Sequence, residues 1–196
     1  MRPIQRNEIL PIGDYEAIRP RFRARVIEEK KARRVQVGEH LTALFENRDT
    51  VLLQIQEMLR TERITAEPAI AHEIATYNDL IPADGQLSLT VFVEIPDKPT
   101  RDRMLVELAG LEDTFGVEVD GEVFPASGKL PDGYTEGITT TVHYLKATLD
   151  AAAAAAVAAG KARVFVVVNH PKLALRAELG RVTLARLAED LSAPAA

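Results

Sequence analysis

The chain contains no cysteine and no tryptophan. Without cysteine there can be no disulfide, no Cys-ligated zinc, no thiolate-held iron–sulfur cluster and no thiol nucleophile. Serine occurs only at Ser88, Ser127 and Ser192, and no G-x-S-x-G is present, which argues against a serine hydrolase. No G-x-G-x-x-G marks a dinucleotide-binding turn. Ser127-Gly128-Lys129 imitates the end of a phosphate loop, but Val123 stands where the first glycine is needed. The longest low-complexity apolar run, Ala151 to Ala159, is too short to cross a bilayer. The first eight residues lack the apolar core of a secretory signal, so a cytoplasmic location is expected.

What is present suits one compact domain spanning residues 1–196: the chain is 46% hydrophobic and long enough to bury a core. Charge is unevenly spread. Residues 1–34 hold ten Lys/Arg against five Asp/Glu, a local excess of +5, so with the chain at -5 the rest carries -10. A basic arm on an acidic body could bind nucleic acid or pack against its own body. Nucleic acid is the weaker reading, because no stacking aromatics interleave with the arginines.

The expected elements follow from period and punctuation. A basic helical arm covers about 14–34, with Ile18, Phe22 and Val26 as its stripe and Pro20 in its first turn. Residues 34–37 and 40–45 flank Gly38-Glu39 as a two-residue hairpin. Asn47 or Asp49 caps a helix carrying Val51, Leu52, Ile55, Met58 and Leu59 on one face. A second helix opens near Thr65 and Pro68, with Ile70, Ile74 and Tyr77 inward. Leu87 to Ile95 alternates as a half-buried strand. Thr100–Ala109 reads as a helix, and Val117 to Phe124 as a hairpin turning at Asp120-Gly121.

Ala126–Gly137 is a loop and 138–149 a strand. Asp150 caps the alanine helix, Val164–Val168 is an inner strand and Asn169-His170-Pro171 a turn. Residues 173–177 form an edge strand, 182–191 a last helix, and 192–196 a frayed end. The fold class is α+β: a largely antiparallel sheet with hairpins, packed by a helix pair and peripheral helices.

Phe45–Pro82 is richer in charge and amides than its apolar stripe requires. Glu46, Arg48, Asp49, Glu57, Arg60, Glu73, Tyr77 and Asn78 are the candidate ligand- or partner-binding groups. Carboxylates half-buried between helices and facing arginines make either a site or a structural ion-pair network. None of the four histidines has metal-ligand spacing. Long-range convergence of His143 or His170 with Glu57 and Glu73 is the weaker metal hypothesis, and it would suit iron, manganese or zinc.

The run Leu44-Phe45-Glu46-Asn47-Arg48-Asp49-Thr50 through Arg60 resembles the domain of unknown function 3501 family of uncharacterised bacterial proteins. So do Glu73…Tyr77-Asn78-Asp79-Leu80-Ile81-Pro82, the strand 89–95, Leu108-Ala109-Gly110-Leu111-Glu112 and His170-Pro171. The resemblance implies genomic company with rubrerythrin-like diiron proteins and cysteine-rich iron–sulfur oxidoreductases. It therefore implies a setting of redox or peroxide stress, and it supplies no catalytic residue.

The expected function is a non-catalytic accessory protein that binds an iron–sulfur or diiron partner, through Phe45–Pro82 or the basic helix. The alternatives are a metal- or small-molecule-binding enzyme with a carboxylate/histidine site, and a nucleic-acid binder.

Overall fold

The computed structural model describes residues 1–129 and 135–192. Among the described residues, eight antiparallel strands and six α-helices order themselves as follows. Helix α1 (Ile12–Ala32) leads into the hairpin β1 (Arg34–Val37) and β2 (Leu41–Phe45). The helix pair α2 (Arg48–Thr61) and α3 (Glu67–Asn78) precedes β3 (Gln86–Val93) and α4 (Lys98–Glu107). Then come β4 (Phe115–Val119), β5 (Glu122–Ser127), β6 (Val142–Thr148), α5 (Ala151–Ala158), β7 (Val164–His170), β8 (Leu173–Glu178) and α6 (Arg181–Ser192).

The strands lie in the order β1-β2-β3-β6-β5-β4-β7-β8. β5 joins two curved halves: its first residues pair with β4, and Ala126 and Ser127 pair with β6. The outer strands β1 and β8 come side by side, with the Leu175 methyls against Gly38, so the sheet is nearly a barrel. Its interior is filled by side chains, among them Val37, Phe45, Leu89, Val91, Val117, Val166 and Val168. A small barrel packed in this way is a core, not a ligand cavity.

A second core lies outside the barrel. Val51, Ile55 and Leu59 of α2 meet Ile70 and Ile74 of α3, and Ile4 and Ile9 of the N-terminal segment close over them. α2 and α3 form the expected pair; Ile4 and Ile9 were not anticipated, because residues 1–10 have no periodic pattern.

Several local expectations hold. Asp120 and Gly121 both have positive φ, as a type I′ turn requires. Asn47 accepts the Thr50 N–H at 2.9 Å and Asp150 accepts that of Ala153 at 2.7 Å, so both are N-caps. β7 is an inner strand and β8 an edge strand.

Others are corrected. α1 begins at Ile12, and Pro20 sits inside it rather than in its first turn. The buried residues are Tyr15 and Val26, with Phe22 half-buried beside them, while Ile18 is 44% exposed. The first hairpin loop has three residues, Gly38, Glu39 and His40, because Val37 pairs with Leu41. β3 is buried on both faces, since α2 and the β2–α2 junction cover Ser88 and Thr90. β6 starts at Val142, and the 170s turn is Pro171-Lys172, because His170 still pairs with Leu173. The predicted loop at 126–137 yields Ala126 and Ser127 to β5, and its part at 130–134 lies outside the described residues, as does 193–196 of the predicted tail.

Candidate functional site

Most of the charged candidates hold the helices to one another. Glu57 of α2 accepts the Tyr15 hydroxyl at 2.6 Å and a forked pair from Arg19 at 2.8 and 2.9 Å, which ties α1 to α2. The Arg19 guanidinium holds the Glu57 carboxyl below its usual range, against burial and with help from Tyr15. Burial, then Glu57, pushes the Tyr15 phenol up. Arg60 pairs with Glu16, and Asp49 with Arg25. Arg48 donates to the Arg2 carbonyl and to Glu8. Burial tends to raise the Glu8 pKa, but the Gln5 N–H, Arg48 and Arg2 outweigh it and bring it to about 2.

Asn78 is an amide clamp. Its Oδ1 accepts the Ile4 N–H at 2.9 Å and its Nδ2 donates to the Ile4 carbonyl at 3.0 Å. Gln56, from the same polar segment, does the same to Leu10 at 2.8 and 3.3 Å. The two clamps fix the N-terminal segment over the outer core. The polar excess of Phe45–Pro82 is thus largely this network.

Among the described residues, no three His, Asp or Glu side chains are grouped to hold a metal ion. The weak metal candidates are occupied separately. His143 is buried beside Phe115, within 3.3 Å of the Thr139 hydroxyl, which donates to Glu112. Burial holds the His143 pKa below its usual value, against the pull of Glu112. His170 accepts the Lys172 N–H on Nδ1, and its Nε2 faces the Ala109 carbonyl at 3.2 Å, so it braces the β7–β8 turn. Glu57 is engaged with Tyr15 and Arg19. Glu73 lies one turn before Tyr77 and acts on its phenol, whose pKa burial raises.

The exception is Glu46. It follows β2, is 7% exposed, and receives hydroxyls from Thr50 of α2 and, at 2.6 Å, from Thr90 of β3. It borders a recess of about 80 Å³ between α1, α2 and the outer face of the sheet. Lys30, Gln54, Thr90, Phe92 and Tyr144 share that lining, with Val51 and Leu80 as its apolar part. Thr90 and Tyr144 are partners in the β3–β6 register, which fixes the wall. Tyr77 is near enough to Tyr144 to help raise its phenol pKa, after burial as the larger cause.

Lys30, Thr90, Phe92 and Tyr144 were not anticipated. The signal for Thr90 and Phe92 was present: they lie on the polar-facing side of an alternating strand, the side that also carries Ser88. Of the ten Lys/Arg in residues 1–34, seven are ion-paired to the acidic body or to their own helix. Arg21, Arg23 and Lys30 have no carboxylate partner among the described residues. The first two are exposed on α1, and Lys30 lines the recess.

Residues 3–191 match the family described as "Protein of unknown function (DUF3501)", and the chain belongs to that family. It is similar to a crystal structure of a novel protein of unknown function from Burkholderia pseudomallei K96243. The two are 33% identical, the match covers 97% of this chain and 100% of that one, and the TM-score is 0.89. No curated protein matches the chain.

Proposed function

We propose that this is a non-catalytic accessory protein of a redox or oxidative-stress system, and that it binds an iron–sulfur or diiron partner through the outer face of α1. One observation carries the placement. The fold neutralises most of its N-terminal cations internally but leaves Arg21 and Arg23 without a carboxylate partner among the described residues, on the helix that also exposes Ile18. The filled barrel and the ion-paired state of Arg48, Glu57 and Arg60 support a scaffold role for the interior and for the helix pair. The redox setting comes from the resemblance alone. Because the chain has no cysteine, any thiolate-held cluster belongs to the partner.

Binding of a purified iron–sulfur oxidoreductase or rubrerythrin-like protein, measured by calorimetry, tests the reading. Charge reversal at Arg21 and Arg23 should weaken association and reduce its salt dependence. The same two arginines would serve nucleic acid, so retention of duplex and single-stranded DNA is the control. Salt-sensitive DNA retention with no protein partner would favour that reading instead.

A further inference from the structure

The geometry points to the recess over Glu46 as a binding site for a small zwitterion of the amino-acid type, its ammonium at Glu46 and its carboxylate at Lys30. This inference is independent of the partner-docking face on α1.

Three observations lead to it. First, Glu46 is a buried carboxyl whose side-chain donors among the described residues are two neutral hydroxyls, Thr50 and Thr90, and no cation of the described residues forms an ion pair with it. A carboxylate has about four lone-pair sites, so two hydroxyl donors leave acceptor capacity. Second, Lys30 lines the same recess, is half-buried, and has no carboxylate partner among the described residues, in a segment where seven of ten cations do. An ammonium held this way satisfies its three donors with water or a ligand. Third, the rest of the lining has the mixture that small-molecule sites use. Phe92, Val51 and Leu80 supply apolar surface, and Gln54, Thr90 and Tyr144 supply a few polar groups.

A ligand of one charge would satisfy only one of the two ionic groups. A zwitterion satisfies both and brings no net charge into a partly enclosed space, where an unpaired charge is costly. The volume of about 80 Å³ suits an enclosed group of only a few heavy atoms, well below the volume of a drug-sized ligand site. Glycine and L-alanine are therefore the probes. Phe92 and Tyr144 also take up part of the lining, so amino acids with larger side chains should be disfavoured.

The test is ligand-observed NMR titration of glycine and L-alanine against the purified protein, with methylammonium and acetate as single-charge controls. Saturable binding of an amino acid is expected, with each control at least about ten-fold weaker, since each forfeits one charge-assisted contact. Lys30→Met, a helix-compatible change of similar volume, should weaken binding about ten-fold while the circular dichroism spectrum and unfolding midpoint stay unchanged. Glu46→Gln, which keeps the shape, should weaken it likewise. Any of three results overturns the assignment: no saturable amino-acid binding, methylammonium or acetate binding as tightly as glycine, or unchanged affinity in folded Lys30→Met protein.

Discussion

Arg33 and Asp190 stand 157 residues apart in sequence and form a forked ion pair, with Nη2 2.9 Å from Oδ1 and Nη1 bonded to Oδ2. Arg33 is 1% exposed, and its Nε also reaches Glu29. The pair fastens the end of α1 to α6, on opposite ends of the chain. Burial pushes Asp190 up and Arg33 opposes this, so the arginine is what makes the buried carboxylate tolerable. Arg33→Ala should cost about 3–5 kcal/mol in urea unfolding at neutral pH, because it strands a buried carboxylate. Arg33→Lys should recover only part of this, since an ammonium cannot reproduce the fork. A loss for Arg33→Ala below about 1 kcal/mol, the range of surface pairs, would show that the pair is peripheral.

The amide clamps predict a local effect. Asn78→Ala and Gln56→Ala each remove two hydrogen bonds to the N-terminal segment, so each should cost about 1–3 kcal/mol. Hydrogen exchange should speed up at Ile4 in the first variant and at Leu10 in the second, ahead of the barrel strands. Uniform acceleration across the barrel would mean that the segment does not open as a separate unit.

Gly128 lies where β5 leaves the sheet, and a Cβ there would come within 1.8 Å of the Tyr144 carbonyl oxygen. Gly128→Ala therefore forces backbone movement. It should lower stability by about 1–3 kcal/mol, as overpacking does, and shift the Tyr144 environment. Gly13, with nothing within 4 Å of an added Cβ, is the control. Gly13→Ala should be neutral or slightly stabilising, with thermal unfolding as the readout.

His143 and Glu8 both contribute to the acid limb of stability. His143 is held below its usual pKa by burial, with Glu112 opposing and Thr139 and Thr140 against the ring. Its contribution is complete above about pH 6.5, the unfolded value, and declines as pH falls below it. Glu8 titrates near 2 in the fold against 4.5 unfolded. Its contribution is complete above about pH 4.5 and is lost between there and about 2, worth about 1 kcal/mol at this solvent-screened position. The stability difference between the protein and Glu8→Gln should therefore shrink only below about pH 4.5. A difference that is constant down to pH 2 would contradict the Glu8 assignment.

Local chemistry was legible in the sequence where one residue type dictates one conformation. Asp120-Gly121, Asn47, Asp150 and the apolar run 164–168 all read correctly, because turns, caps and inner strands need only neighbours. Pro20 misled, because proline's preference for a first turn did not hold: the helix starts at Ile12, and Tyr15, ahead of the proline, is buried with Val26. The near-closure of the sheet was not legible. It depends on β6 coming between β3 and β5, a pairing between strands distant in sequence. The candidate site was half legible. Glu46 and Tyr77 belong to the conspicuous polar segment, but Lys30, Thr90 and Tyr144 reach the recess from other elements, brought there by register and helix phase.

The most direct test of the functional account is calorimetric titration of the purified protein with an iron–sulfur oxidoreductase and with a rubrerythrin-like protein, repeated with the Arg21→Glu/Arg23→Glu variant. The account predicts association with at least one of them, weakened about ten-fold or more in the variant at low salt, with the unfolding midpoint unchanged. No association with either, or equal affinity in the variant, would contradict it.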